Sequence, residues 1–158
     1  MRRATFAADR RDLLLASGLD AAGIEGLVDL QCRARERQYR QDWPGAEAWT
    51  IEVDAVPAGC LLLHRERGAT RIVDFALRPE FRGRGVGGKV LGRLQSEAAG
   101  AGARLVLQVA ADNRARALYA RRGFAETADD GLYVEMSWPG GAPTAAWIKN
   151  GEYRGSAT

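Results

Sequence analysis

A glycine-rich segment is the part of the chain whose residue types point most directly to ligand chemistry. The segment reads Arg82-Gly83-Arg84-Gly85-Val86-Gly87-Gly88-Lys89 and lies between a predicted strand and a predicted helix. Glycine lets an anion approach the backbone closely, and the N–H groups at a helix N-terminus attract negative charge. Four glycines in six residues cost much chain entropy unless such an approach is needed. The segment therefore predicts a phosphate-binding loop, with a ligand-free tight turn as the alternative.

Two common nucleotide motifs fit this loop only in part. Gly83, Gly85 and Gly88 match G-x-G-x-x-G, but too little chain follows the loop to build a doubly wound dinucleotide-binding sheet. Gly83, Gly88 and Lys89 also match G-x-x-x-x-G-K. Val90 then stands where a serine or threonine hydroxyl should hold magnesium, which excludes a P-loop. A nucleotide-dependent oxidoreductase stays a weaker alternative.

A third motif in the same loop matches better, and a second motif follows it downstream. Arg82, Gly85 and Gly87 spell R-x-x-G-x-G, which resembles the pyrophosphate-binding motif of the GNAT family of N-acetyltransferases. The second motif has an asparagine, a short helical segment that ends in Leu-Tyr, and then Gly-Phe. It reads Asn113-Arg114-Ala115-Arg116-Ala117-Leu118-Tyr119, followed by Gly123-Phe124. Together these motifs extend the resemblance over residues 1–140.

The resemblance implies both a fold and a cofactor. The fold is α/β (α+β), with a mixed, mostly antiparallel sheet of about six or seven strands, flanked by about four helices. The sheet is splayed between the fourth and fifth strands, and the arm of acetyl-CoA pairs with the fourth strand near Leu77. The pyrophosphate lies on the loop N–H groups. The implied cofactor-binding residues are Leu77, Arg82, Gly83, Arg84, Gly85, Val86, Gly87, Gly88, Asn113 and Tyr119.

Two catalytic roles are predicted. By resemblance, Tyr119 protonates or stabilises the departing CoA thiolate, although an aromatic residue packed in the core would also fit this position. An acceptor ammonium with a pKa near ~10 must first lose a proton. Asp74 is the lone carboxylate in an apolar strand and the candidate base, and a structural role for it is equally consistent. Glu52 and Asp54 are weaker candidates for the base.

Hydrophobic periodicity places these residues on a series of predicted elements. Helices are predicted over 9–16, 21–41 and 114–122, with another from the glycine loop to about 101 whose inner face carries Val86, Val90, Leu91, Leu94 and Ala98. Strands are predicted over 2–6, 49–54, 60–67, 70–77, 105–109, 124–127 and 132–138, with a turn over 56–59. Residues 1–140 form one predicted domain, and 141–158 a predicted tail.

Composition narrows the class of protein. The net charge is +3, an excess too small to indicate a nucleic-acid partner, and no apolar run is long enough to span a membrane. Charged residues interrupt the apolar run near the N-terminus, which argues against export. Cys32 and Cys60 form no metal-type cluster, so no metal is predicted, and a reducing cytoplasm fits. His64 is predicted to lie on a solvated face.

The acceptor is not encoded in the motifs, so the predicted partner is a small-molecule or peptide amine. Arginines recur on the second predicted helix and are followed by aromatic residues; the set is Arg33, Arg37, Arg40, Tyr39, Trp43 and Trp49. A solvated basic face explains the arginines, and a pocket for acidic or aromatic molecules is the alternative. A non-catalytic module that binds CoA is the main rival function. The resemblance also allows a homodimer.

Overall fold

The structure, a computed structural model, describes residues 20–140. Its helices are α1 (Ala21–Asp42), α2 (Val86–Gly100) and α3 (Ala115–Arg121), with a 3-10 helix at Pro79–Phe81. Its strands are β1 (Glu47–Val53), β2 (Val56–Glu66), β3 (Ala69–Leu77), β4 (Arg104–Ala110), β5 (Ala125–Asp129) and β6 (Tyr133–Trp138). The strand predicted over 2–6, the helix over 9–16 and the tail over 141–158 lie outside the described residues.

The six described strands form one sheet in the order β1-β2-β3-β4-β6-β5. β3 and β4 pair in parallel from Ala69 with Arg104 to Ile72 with Leu107, although β3 itself continues to Leu77. β4 pairs with β6 antiparallel, as does β5. The predicted α/β class with a mixed, mostly antiparallel sheet is therefore confirmed. The three α-helices predicted within residues 20–140 are all present.

The described chain divides into two compact units. The first comprises residues 20–62 and 74–82, and the second comprises residues 63–73 and 83–140. No helix within these ranges is long and apolar enough to cross a membrane.

In the first unit, α1 begins and ends close to its predicted bounds. Asp20 caps it, because its carboxylate accepts a hydrogen bond of 2.8 Å from the Gly23 N–H. The helix buries Ile24 and Val28, which are four residues apart and so lie on one face. At the other end, the Trp43 N–H donates to the Tyr39 carbonyl at 2.9 Å.

The turn between β1 and β2 differs from the prediction. Asp54 and Ala55 form it, with φ values of 51° and 63°, and two successive left-handed residues are typical of a type I′ hairpin turn. The turn predicted over 56–59 is wrong, because β2 already begins at Val56. Gly59 is buried within that strand, where a Cβ atom would overlap the Ala76 carbonyl oxygen. This glycine thus permits close approach of β3 and does not form a turn.

The second unit has its core between α2 and the strands. The predicted inner face of α2 is confirmed, since all five of its residues are buried. The largest fully buried side chains of the described chain all belong to this unit: Leu63, Leu91, Leu105, Leu107, Val134 and Met136. Burial of this apolar surface fixes α2 on the sheet, and so fixes the position of its N-terminus.

Two glycines on α2 make room for the side chain of Arg122. A Cβ atom on Gly88 would overlap the Arg122 guanidinium, whereas one on Gly92 would lie 3.5 Å from it, at ordinary contact distance. The Gln95 side-chain amide also donates to the Arg122 carbonyl at 2.6 Å. The guanidinium therefore lies across the first turns of α2.

This packing predicts that the effect of Gly88→Ala on stability depends on the presence of the Arg122 side chain. Glycine to alanine inside a helix stabilises by roughly 1 kcal/mol. We expect Gly88→Ala to lose this gain, because its methyl group must displace the Arg122 guanidinium, and to recover it in an Arg122→Ala background. Urea denaturation of the four variants of this double-mutant cycle measures the difference.

Gly92→Ala is the matched control, because its methyl group would make only an ordinary contact. We expect it to stabilise the protein by roughly 1 kcal/mol in both backgrounds. If Gly88→Ala changes the free energy of unfolding equally with and without Arg122, the described packing is wrong.

Candidate functional site

The end of β3 is exposed in a way that is unusual for an interior strand. β3 lies between β2 and β4 in the sheet, yet Asp74, Phe75, Ala76 and Leu77 are all partly exposed. Successive residues of a strand face opposite sides of the sheet, so both faces of this segment are accessible. The middle of β2, in contrast, is buried from Ala58 to Leu63. The ladder between β3 and β4 ends at Ile72, so the β3 backbone over residues 74–77 continues beyond the paired part of the strand.

Asp74, the predicted base, belongs to a polar network with α1. Its carboxylate lies 3.4 Å from the Arg35 guanidinium, and its side chain is only 15% exposed. Arg35 also donates a 2.5 Å hydrogen bond to the Tyr39 hydroxyl, and its guanidinium carbon lies 5.3 Å from the centre of that ring. A neighbouring cation favours the ionised carboxylate. The contact with Arg35 therefore suits a carboxylate at this position, whether it serves as a base or as a structural acid.

Sequence reasoning missed Arg35. The residue lies 39 positions before Asp74, and nothing in its local pattern distinguishes it from the other arginines of α1. The only local signal is its spacing of four residues from Tyr39, which places both side chains on one face of the helix.

Arg82, at the start of the glycine loop, is already engaged by the backbone before it. Its side-chain Nε donates to the Leu77 carbonyl at 2.8 Å, and its backbone N–H donates to the Pro79 carbonyl at 3.1 Å. These bonds tie the loop to the end of β3. The Arg82 N–H is therefore already hydrogen-bonded within the chain.

The rest of the loop leads directly into α2. Gly83 and Gly85 have φ values of 70° and 79°, in the left-handed region that favours glycine. Gly85 is the N-cap residue of α2, with no side-chain cap, and the first turn carries no acidic residue. The first N–H groups of a helix have no partner within it. This end of α2 therefore has the geometry and the partial positive charge of an anion site.

The second motif builds α3. The Asn113 side chain accepts a 2.9 Å hydrogen bond from the N–H of Ala115, the first residue of α3, while Arg114 occupies the N-cap position. Tyr119 is 7% exposed, and its ring packs edge-on against Phe124 at 5.9 Å between centroids. The Tyr119 ring is thus part of the core, so a catalytic role would involve only the hydroxyl group.

Arg116, on the same short helix, anchors it to neighbouring chain. Its guanidinium donates to the Ala111 carbonyl and to the Glu126 carboxylate, both at 2.6 Å. The hydrogen bond to Glu126 raises the pKa of this guanidinium above its usual value. Arg116 is therefore a structural cation rather than a free one.

The residues predicted for the acceptor side separate into different environments. Tyr39, Arg40 and Trp43 line one cavity, whereas Arg33 pairs with Asp29 at 2.6 Å. Trp49 does not line that cavity, and its buried indole Nε1 has no hydrogen-bond partner within residues 20–140.

The weaker candidates for the base and the histidine lie on β1, on β2 and in the turn between them. Glu52 and Asp54 are exposed, on β1 and in the following turn. His64 is less solvated than predicted, since its side chain is 18% exposed and lies 3.2 Å from the Glu66 carboxylate.

Known structures share this fold. The PaiA N-acetyltransferase of Thermoplasma acidophilum, in complex with coenzyme A, matches 85% of this chain and 87% of its own at 16% identity, with a TM-score of 0.60. An acetyltransferase from Thermus thermophilus matches 87% and 86% at 24% identity, with a TM-score of 0.59. A GNAT acetyltransferase from Elizabethkingia anophelis with acetyl-CoA bound matches 67% and 82% at 18% identity, with a TM-score of 0.56. Identities this low establish the fold alone.

The sequence itself identifies the family. Among curated proteins, none matches this chain significantly. The sequence profile described as "Acetyltransferase (GNAT) family" matches residues 24–124, which is more than half of the chain and contains both the glycine loop and the Asn113 to Phe124 motif. The protein therefore belongs to the GNAT family of acetyltransferases.

Proposed function

We propose that this protein transfers the acetyl group of acetyl-CoA to a primary amine of a small molecule or peptide, by direct attack in a ternary complex. The observation that carries the proposal is the glycine loop, whose left-handed Gly83 and Gly85 lead into the uncapped N-terminus of α2. A diphosphate is the kind of anion such a terminus binds. The accessible segment of β3 over residues 74–77 suits an extended arm that pairs with a strand.

Two side chains of this protein would handle protons in the reaction. Asp74 accepts a proton from the acceptor ammonium, directly or through water, so that the nitrogen lone pair can attack the thioester carbonyl carbon. A backbone N–H of β3 stabilises the resulting oxyanion. The nitrogen of the tetrahedral intermediate loses a second proton to water, the carbon–sulfur bond breaks, and the Tyr119 hydroxyl gives its proton to the departing thiolate before water reprotonates the phenolate. Acetyl-CoA supplies the activated acetyl group.

A non-catalytic CoA-binding module is the second candidate. Asp74 is paired with Arg35, and the Tyr119 ring packs against Phe124, so both residues have structural explanations. Turnover distinguishes the two functions, whereas binding does not.

Thermal melting and thiol release test the proposal together. At an acetyl-CoA concentration of about 100 times the Kd, linkage should stabilise the protein by about 2.7 kcal/mol, which raises Tm by roughly 5–10 °C, while NADH should have no effect. Addition of an amine panel should then release free CoA thiol. A shift without thiol release on any amine would favour the binding module, and the absence of a shift would overturn both functions.

We expect Asp74→Asn to lower kcat by about 10²–10⁴-fold, because the amide keeps the shape of the side chain but accepts no proton. The Kd for acetyl-CoA should change little. Glu52→Gln, which changes an exposed carboxylate on β1, should retain wild-type kcat. Initial rates of thiol release from pH 6 to 9 measure the effect. Unchanged turnover of Asp74→Asn across this range would refute its role as the base.

We expect Tyr119→Phe to lower kcat while it leaves the fold intact. The substitution keeps the ring that packs on Phe124 and removes only the hydroxyl, so the free energy of unfolding should fall by no more than about 1.5 kcal/mol. The loss of a proton donor typically costs about 10²–10⁴ in rate. Stability by urea denaturation and kcat by thiol release separate the two effects. A variant with wild-type kcat would show that Tyr119 serves only the core.

A further inference from the structure

The first unit contains a cavity of about 290 Å³ at the C-terminal end of α1. Glu36, Tyr39 and Arg40 line it from one face of α1, at spacings of three and four residues, and Trp43, the C-cap residue of this helix, also lines it. Leu62 and Ala48 contribute apolar surface from the strands. A volume near the lower end of the usual range of about 300–1,000 Å³ for ligand pockets suits a molecule of metabolite size.

The two charged residues of this cavity do not neutralise each other. An acid four residues before a base on a helix normally forms an ion pair, and Asp29 with Arg33 does so at 2.6 Å on this same helix. Glu36 and Arg40 have the same spacing and order. Yet within residues 20–140 neither makes an ion pair or a side-chain hydrogen bond. The cavity thus presents a carboxylate and a guanidinium about one helical turn apart.

Hydrogen bonds hold the aromatic residues of the cavity wall, Tyr39 and Trp43, in place. The Tyr39 hydroxyl accepts the 2.5 Å hydrogen bond from Arg35, and the guanidinium of Arg35 also lies over the ring. The Trp43 N–H donates to the Tyr39 carbonyl at 2.9 Å, which fixes the backbone between the two rings. Rigid aromatic side chains bind apolar groups with little loss of conformational entropy.

We propose that this cavity binds the acetyl acceptor, and that the acceptor is a free α-amino acid with a large apolar side chain. Arg40 binds its carboxylate, Glu36 attracts its ammonium, and the side chain packs on Tyr39 and Trp43. A simple amine would leave Arg40 without a partner, and the terminal residue of a peptide has no free carboxylate to offer it. The inference rests on the proposed acetyl transfer.

The cavity is also connected to the proposed base. Tyr39 lines the cavity, Arg35 binds Tyr39, and Arg35 pairs with Asp74 at 3.4 Å. All of these residues belong to the first unit. Since Asp74 does not line the cavity, the proton of an acceptor bound there would reach Asp74 through water, which is the indirect route of the proposed mechanism.

The test compares a free amino acid with its amide, which keeps the amine and the side chain but lacks the carboxylate. The rate constant kcat/KM for L-phenylalanine and for L-phenylalaninamide is measured by thiol release from acetyl-CoA. Arg40→Ala should lower kcat/KM for phenylalanine by about 10–100-fold, the usual effect of a lost charged hydrogen bond, and by less than about 3-fold for the amide. L-Leucine should behave like phenylalanine.

Arg67→Ala is the charge-matched control, because Arg67 is exposed, lies in the other unit and does not line the cavity. It should change kcat/KM by less than about 3-fold for either substrate. Equal effects of Arg40→Ala and Arg67→Ala would overturn the assignment, as would a wild-type preference for the amide. So would acetylation of other amines with no turnover of phenylalanine or leucine.

Failure of this inference differs from failure of the proposed function. If acetyl-CoA raises Tm and other amines are acetylated, only the cavity assignment is wrong. If acetyl-CoA does not raise Tm, the function itself is wrong. Should Arg40→Ala fold poorly by circular dichroism, Arg40→Gln replaces it with the same expected selectivity for phenylalanine over the amide.

Discussion

The left-handed backbone at Gly83 and Gly85 is the constraint on which the proposed site depends. These two residues turn the chain from the end of β3 into α2, and a side chain at either position would be strained. Because α2 is fixed by its buried inner face, the turn presents the unpaired N–H groups of the helix in a defined position. Arg82 secures the other end of the turn through the Leu77 carbonyl. The proposed anion site at this terminus therefore consists of backbone groups.

One side chain, Arg35, connects β3 with α1. Arg35 contacts both the Asp74 carboxylate and the Tyr39 ring, so the proposed base and the cavity wall share a cation. Partly buried pairs of this kind are less screened by solvent than pairs on the surface. Acid–base chemistry and acceptor selection, as proposed, would both depend on the orientation of Arg35.

The sequence predicted most accurately those features that depend on residues close together in the chain. The buried inner face of α2 and the family both follow from short local patterns. The prediction of a turn over 56–59 was wrong because Gly59 permits close approach of Ala76, a long-range contact that no local pattern reveals. Arg35 was missed because its partner Asp74 lies 39 residues along the chain. Arg40 was among the residues predicted for the acceptor side, whereas Glu36 was not, since its spacing predicts an ion pair with Arg40.

Hydrogen exchange in the presence of acetyl-CoA tests the central claim most directly. Saturating acetyl-CoA should slow amide exchange in peptides that cover residues 74–77 and 83–88, because the cofactor would occupy those N–H groups. Exchange in the β5 and β6 strands, which have no role in the proposed site, should stay unchanged. Unaltered exchange in both segments at saturating acetyl-CoA would contradict the assignment of this loop and strand as the cofactor site.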